Sequence, residues 1–393
     1  MVLSRQQTVR THMPALDGVR GLAILVVLVH NVGYFDEPAD SLLIKLIRVA
    51  FGGGWMGVQL FFVLSGFLIT GILLDSKRTA NYFRSFYIRR ILRIFPIYYL
   101  TLIGAFFVLP RMVDTGDWEL HANDVQVWYW VYLSNWTDPF LGPLPGLSHF
   151  WSLAVEEQFY LLWPFAVLVL SSRALMRFCG LLVVSALLTR MFMYWLGAPV
   201  DAIYVLTITR WDALAIGAVI AIAMRQPECY SRLLGWIRRA ALPAFVLLLC
   251  IGVFEQSLTW RSAPMLTFGF SVLAVLCAWC VLAAIDPDSP SRFIQRVAST
   301  KLLRFFGKYS YGMYVFHYPI HKAGEFLLTG WVVSGSGAER PVRLLIYVIG
   351  ILAVSTGIAV ISYYLVEKRF LALKDRWARR VPALEAEPGL RRD

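Results

Sequence analysis

Long apolar stretches alternate with short polar ones along almost the whole chain. Ten stretches read as membrane-crossing helices: residues 16–34, 55–74, 88–110, 153–170, 178–196, 203–224, 241–256, 265–285, 306–328 and 342–366. At a rise of about 1.5 Å per residue, some 20 apolar residues cross the hydrocarbon core of a bilayer. The stretch Val125 to Trp136 is apolar and aromatic but too short to cross, and reads as an interfacial or re-entrant segment. Trp and Tyr gather at the ends of the runs, where membrane interfaces favour them. The pattern predicts an all-α, polytopic membrane protein with about ten transmembrane helices around an intramembrane active-site cavity. It organises as one membrane domain, residues 1–370, with a basic tail over 371–393.

Composition agrees with the pattern. Of 393 residues, 58% are hydrophobic and only 16% are charged, too apolar for one water-soluble core. Arg5 and Arg10 precede the first run, but no small-residue cleavage pattern follows His30, so the run is expected to be a retained span. The net charge of +12 falls in loops between spans, which argues against a nucleic-acid partner. With both termini cytoplasmic, the inner segments carry 27 Lys and Arg against six on the outer segments. That asymmetry sets the orientation, since basic loops stay inside. The outer loop 111–150 is instead acidic, with Asp114, Asp117, Glu119, Asp124 and Asp138. The five cysteines form no framework, and the His317/His321 pair lacks a third ligand, so no metal is expected.

Ionisable residues inside the spans stand out, because charge in a bilayer is costly and usually marks function. "LDGVRGLAILVVLVHN" puts Asp17 and Arg20 near the inner face and His30 ten residues on, about 15 Å along a helix. Nine residues separate Arg20 from His30, so on a straight helix their side chains diverge by about 80°. "HFWSLAVEEQFYLLWP" carries Glu156 and Glu157 a turn or two into the fourth span, at the depth of His30; the pair either caps the helix start or does chemistry. "TRWDALAIG" places Arg210 and Asp212 inside the sixth span, as a structural ion pair or as groups lining the inner pore. "YSYGMYVFHYPIH" holds His317 within the ninth span. "YIRRILRIFPIYYL" sets Arg89, Arg90 and Arg93 at the inner start of the third span. They serve either as ordinary positive-inside anchors or as a clamp for a phosphorylated cytosolic ligand, whose oxygens suit guanidinium forks. "GGGWMGVQLFFVLSGFLI" is rich in small residues, with Ser65 placed to line a cavity.

An imidazole beside a carboxylate is a general-base pair, and inner arginines would hold a phosphorylated donor. No Ser or Cys lies in a nucleophile motif, which favours direct transfer. At these residues the chain resembles the acyltransferase-3 family of integral-membrane acyltransferases. The likeness rests on "LDGVRGLAILVVLVHN", "FFVLSGFLI", "RRILRIFPIYY", "FWSLAVEEQFYLLWP", "TRWDALAIG" and "YSYGMYVFHYPI", in the family's order over about residues 14–370. Members O-acylate sugars of lipopolysaccharide, exopolysaccharide, Nod factor and macrolides. The resemblance implies a multi-pass protein of the bacterial inner membrane that uses cytoplasmic acyl-CoA, commonly acetyl-CoA, as donor and binds no further cofactor. It implies that Arg20 and His30 are essential, that Glu156 and Glu157 form the acidic motif, and that His317 and Pro319 form the late His-x-Pro.

The expected roles follow. His30 is the general base and Glu156, ahead of Glu157, orients it. Arg20, Arg89, Arg90, Arg93 and Ser65 line the acyl-CoA site. Asp17, Tyr160, Arg210, Asp212 and His317 line the substrate path to a glycan or glycolipid acceptor. Two departures from the family pattern are visible. The first-span Arg–His spacing is one residue short, and Glu367 is followed by Lys368 rather than Pro. The alternative function is a transporter or proton-coupled exporter of a sugar or glycolipid, since intramembrane charges also relay ions. Against it, the two halves show no matching pair of interrupted spans.

Overall fold

The computed structural model describes residues 13–33, 52–112, 117–255, 258–286, 292–335 and 339–377. Helices and no strand make up the ordered elements among them. The first, α1 (Pro14–Gly33), is followed by α2 (Met56–Ser76), α3 (Tyr82–Ile103), α4 (Asp117–Trp130), α5 (Ser134–Leu141), α6 (Phe150–Val169) and α7 (Ser172–Trp195). Then come α8 (Val200–Val205), α9 (Thr207–Ala223), α10 (Pro227–Phe254), α11 (Phe270–Ile285), α12 (Arg292–Ala298), α13 (Lys301–Val333), α14 (Glu339–Ser362) and α15 (Lys368–Trp377). Nine helical segments among the described residues are long and apolar enough to cross a membrane. The chain is a multi-pass membrane protein.

The segment expected as the ninth span, 306–328, lies in α13, which is 33 residues long and does not reach that level of apolarity. Its polar residues explain this: Ser310, His317 and His321 are buried inside the bundle rather than turned to lipid. Helix starts also differ from the apolar runs. The third helix begins at Tyr82 and the tenth at Pro227, because basic turns continue the helical hydrogen bonding ahead of the apolar part. The sixth span is broken at Leu206, whose backbone is extended between α8 and α9. Asn135 Nδ2 donates to the Val205 carbonyl oxygen at 3.2 Å and to Thr207 Oγ1 at 2.9 Å, supplying partners at the break. The short stretch 125–136 forms the end of α4 and the start of α5. It packs on the outer half of α3, where Tyr98 Oη donates to the Tyr129 carbonyl at 2.7 Å.

Two helices form the centre. In both α2 and the α8–α9 span, 72% of the most apolar 18 residues are buried, against 28% in the α3, α7 and α10 spans. Glycine makes their contact possible. A Cβ built on Gly217 would lie 2.0 Å from the Val63 carbonyl oxygen, and one on Gly66 would lie 1.9 Å from that of Leu214. Small residues let membrane helices approach backbone to backbone, where dispersion replaces the absent hydrophobic drive. Residues that face away, such as Leu162 and Val169, are 69% and 79% exposed and present the apolar surface that lipid would cover.

The segments expected as cytoplasmic or outer loops up to residue 12, over 34–51 and beyond 377 lie outside the described residues.

Candidate active site

The basic turns brought together at one end of the bundle line a wide cleft. Arg20 comes from α1, Arg89, Arg90 and Arg93 from α3, Lys301, Arg304 and Lys308 from α13, and Lys374 from α15. Asp17 and Glu367 are the acidic groups among the lining residues. Every one of these positions falls on the side that the charge count assigns to the cytoplasm. So many like charges in one cleft repel one another, and an anion placed there relieves that repulsion. The clamp reading of the three α3 arginines thus gains a geometry that anchoring alone does not require.

The cleft continues inward. Arg20, Arg90, Arg93, Ser310 and Tyr311 line both it and a deeper cavity. Ser65, Glu156, Glu157 and Tyr160 lie on that deeper wall. Tyr160 Oη donates to Glu156 Oε2 at 3.1 Å and is hydrogen-bonded to Ser65 Oγ. The Arg90 guanidinium sits 5.0 Å over the Tyr160 ring, a cation–π contact that fixes the arginine's aim. Arg20 pairs with Asp17 at 3.5 Å. Glu156 and Glu157 therefore belong to the deeper cavity behind the basic cleft, among cations.

A second cavity opens at the opposite end. His30, Asn31, Asp138, His149, Asp201, Trp260, Arg261 and Tyr318 line it, all on the side assigned to the exterior. Its histidines are held by backbone chemistry that begins with Pro319. Proline has no N–H, so the Val315 carbonyl four residues earlier loses its helical partner. His149 Nε2 takes its place as donor, at 3.2 Å. At the preceding residue, the Tyr314 carbonyl accepts from His317 Nδ1 at 2.6 Å, and His317 Nε2 accepts from Asn31 Nδ2 at 2.9 Å. These bonds tie the outer end of α1, next to His30, to α13. In the same cavity burial pushes the Asp138 carboxyl up to about 8, against a hydrogen bond donated by Tyr129 Oη at 3.0 Å.

His30 and Glu156, expected as a base and its orienting acid, line different cavities. Arg20 and His30 likewise open onto opposite ends, as the nine-residue spacing and their depth on α1 lead one to expect. Val58 and Tyr314 line both the inner and outer cavities, so the two spaces meet there.

Arg210 and Asp212 line none of the three cavities. Both are fully buried near the outer start of α9 rather than at the inner pore. Asp212 pairs with Arg190 of α7 at 2.9 Å and accepts from Ser271 Oγ at 2.7 Å. Arg210 Nη2 donates to Gln59 Oε1 at 2.7 Å, and its guanidinium lies 4.1 Å from the Phe270 ring and 5.1 Å from that of Tyr204. The network joins α2, α7, α9 and α11, and it explains why a charged pair sits in an apolar span. His317 does not line the outer cavity itself; it stands behind the lining residues, bonded to Asn31 and Tyr314 and with its ring 5.0 Å from that of His149. The sequence reading missed His149, Asn31, Tyr311 and Tyr314. All four lie inside stretches quoted for other residues, and a tyrosine in an aromatic-rich span carries no signal until its neighbours are known.

Comparison with known proteins places this geometry. Residues 13–363 match the acyltransferase domain of the acyltransferase-3 type. YrhL of Bacillus subtilis strain 168, provisionally named a peptidoglycan O-acetyltransferase, is 31% identical over 324 residues, covering 79% of this chain and 48% of that protein. The peptidoglycan O-acetyltransferase OatA of Listeria monocytogenes is 29% identical over 331 residues, 79% of this chain and 50% of that one. The chain thus spans about half the length of the curated relatives it matches. No solved structure matches it. The family match runs from α1 to the end of α14 and takes in most residues lining the three cavities, and the chain belongs to the acyltransferase-3 family of membrane acyltransferases.

Proposed function

We propose that this chain is a membrane O-acetyltransferase. It takes an acetyl group from a coenzyme A thioester in the inner cleft and passes it to a hydroxyl of a glycan in the outer cavity. The observation that carries the reading is a series of adjoining cavities through an apolar bundle, with a cation-lined mouth on one side and a His-lined cavity on the other. Phosphates at the nucleotide end of coenzyme A suit eight clustered cations, and arginine forks bind phosphate oxygens in pairs. Relatives named as peptidoglycan O-acetyltransferases support a cell-wall glycan as acceptor and a bacterial cytoplasmic membrane as the location.

In this reading His30 takes the proton of the acceptor hydroxyl as its oxygen attacks the thioester carbonyl. A carbon–oxygen bond forms and the carbon–sulfur bond breaks. The thiolate leaves with the electron pair and takes a proton at the aqueous inner mouth, while His30 releases its proton outside. Arg20, Arg90 and Arg93 hold the donor. Glu156 and Glu157 balance their charge, and Ser65 and Tyr160 fix Glu156. Arg210, Asp212 and His317 act at one remove, by holding the walls.

The test is acetyl-CoA turnover by the purified protein with soluble peptidoglycan fragments. His30→Ala is expected to lower acetyl transfer at least 100-fold, the usual scale of general-base catalysis, while thermal unfolding stays close to that of the parent. Full activity in that variant removes His30 as the base. Glycan uptake into vesicles with no release of coenzyme A would overturn the enzyme reading in favour of transport.

A further inference from the structure

The inner and outer cavities share two side chains, Val58 and Tyr314, each only 7% exposed. Tyr314 is held in place by its neighbours. Tyr314 Oη donates to the His149 carbonyl oxygen at 3.1 Å and lies 2.5 Å from Ser152 Oγ, which pins the phenol at its far end. The Phe61 ring meets it edge-on, with centroids 6.3 Å apart.

Val58 is held by its neighbours on α1. A Cβ built on Gly57 would lie 2.6 Å from the Ala23 carbonyl oxygen and 2.7 Å from Val27 Cγ2. A Cβ built on Gly54 would lie 2.2 Å from His30 Cβ. The chain leading into Val58 is therefore pressed against α1 at Gly54 and again at Gly57. Val58 follows Gly54 by four residues, about 6 Å along a helix, on the inner side of His30. Its β-branch leaves few χ1 states, so it forms a stiff wall.

Under the functional reading above, the thioester comes from one cavity and the hydroxyl from the other. Their reacting atoms meet where the cavities meet. The group attached to the carbonyl then lies between Val58 and Tyr314. We infer that these two residues form an acyl-length filter, which admits acetyl and excludes longer acyl groups. The nucleotide-binding cations grip any acyl-CoA equally. Selectivity among donors is therefore set at the neck, because close-packed interiors accept an extra methylene only with strain.

The experiment compares acetyl-, propionyl- and butyryl-CoA as donors to soluble peptidoglycan fragments, with acyl ester followed by mass spectrometry. Val58→Ala is expected to raise the butyryl-to-acetyl ratio of kcat/KM about tenfold or more, the discrimination that one or two methylenes carry in an apolar pocket. Val58→Ile is expected to do the reverse, losing propionyl transfer before acetyl transfer. Inhibition by free coenzyme A should stay the same in both variants, because the cationic cleft is untouched. If Val58→Ala still transfers acetyl with an unchanged butyryl-to-acetyl ratio, the filter is refuted and the functional reading stands. If the parent protein transfers no acyl group from any CoA thioester, the functional reading fails and the filter falls with it.

Discussion

Asp138 shows how one residue's burial sets a pH response. Its carboxyl is held protonated up to about 8, whereas an unfolded chain ionises it near 3.8. Between those values the unfolded state has lost a proton that the folded state keeps, so stability falls as pH rises across that window. Asp138→Asn mimics the protonated form and should flatten the fall of Tm between about pH 4 and 8, measured by fluorescence-detected unfolding. An unchanged slope would assign the dependence to other groups. Arg190 and Asp212 make the contrasting case. Both have side-chain exposures of 0%, and their charges are met by each other, by Ser271 and by backbone carbonyls. A buried pair of this kind is costly to break because either charge left alone has no solvent. Such a pair fixes how helices dock without touching substrate.

At the scale of elements, the decisive contacts are backbone to backbone. Gly217 and Gly66 let α9 and α2 approach until carbonyl oxygens occupy the space of a missing Cβ. Gly217→Ala must push these helices apart and should cost about 1–3 kcal/mol or more, the range for overpacked cores. Gly350 of α14 is the control. A Cβ there meets nothing within 4 Å, so Gly350→Ala should leave unfolding unchanged or slightly higher. Thermal unfolding in detergent separates the two. A small effect at Gly217 would show that the helices part without penalty. Proline acts through an opposite device. Pro319 removes one N–H from α13, and the carbonyl it frees holds His149 in place. The same helix turn that breaks the ladder thus orders the outer cavity.

The whole molecule is a two-ended path, and its ends differ in charge. Eight cations line the inner cleft against two carboxylates, whereas the outer cavity mixes Asp138, Asp201 and Arg261 with histidines. An ion-rich donor site in water is screened by salt within about 10 Å at 0.1 M. Raising ionic strength from about 0.05 to 0.5 M should therefore raise KM for acetyl-CoA several-fold with little change in kcat. Equal changes in both constants, or none, would place the donor elsewhere. Lys374→Glu, at the rim of the cleft, should shift KM in the same direction.

The sequence by itself determined the helical membrane class, the order of most spans and which ionisable residues fall inside them. These depend on local hydrophobicity, on loop charge and on the cost of placing an ionisable group in lipid, all of which can be read residue by residue. It also placed Arg20 and His30 at opposite ends of one helix, because rise per residue is fixed. Tertiary structure alone decided partners. Glu156 stands with Tyr160 and Ser65 rather than beside His30, Asp212 pairs with Arg190 rather than Arg210, and α13 buries Ser310, His317 and His321 inside the bundle. Such pairings join residues far apart along the chain, and they turn on the rotation and offset of whole helices. Those are set by glycine contacts and side-chain interlock between spans, which no local pattern encodes.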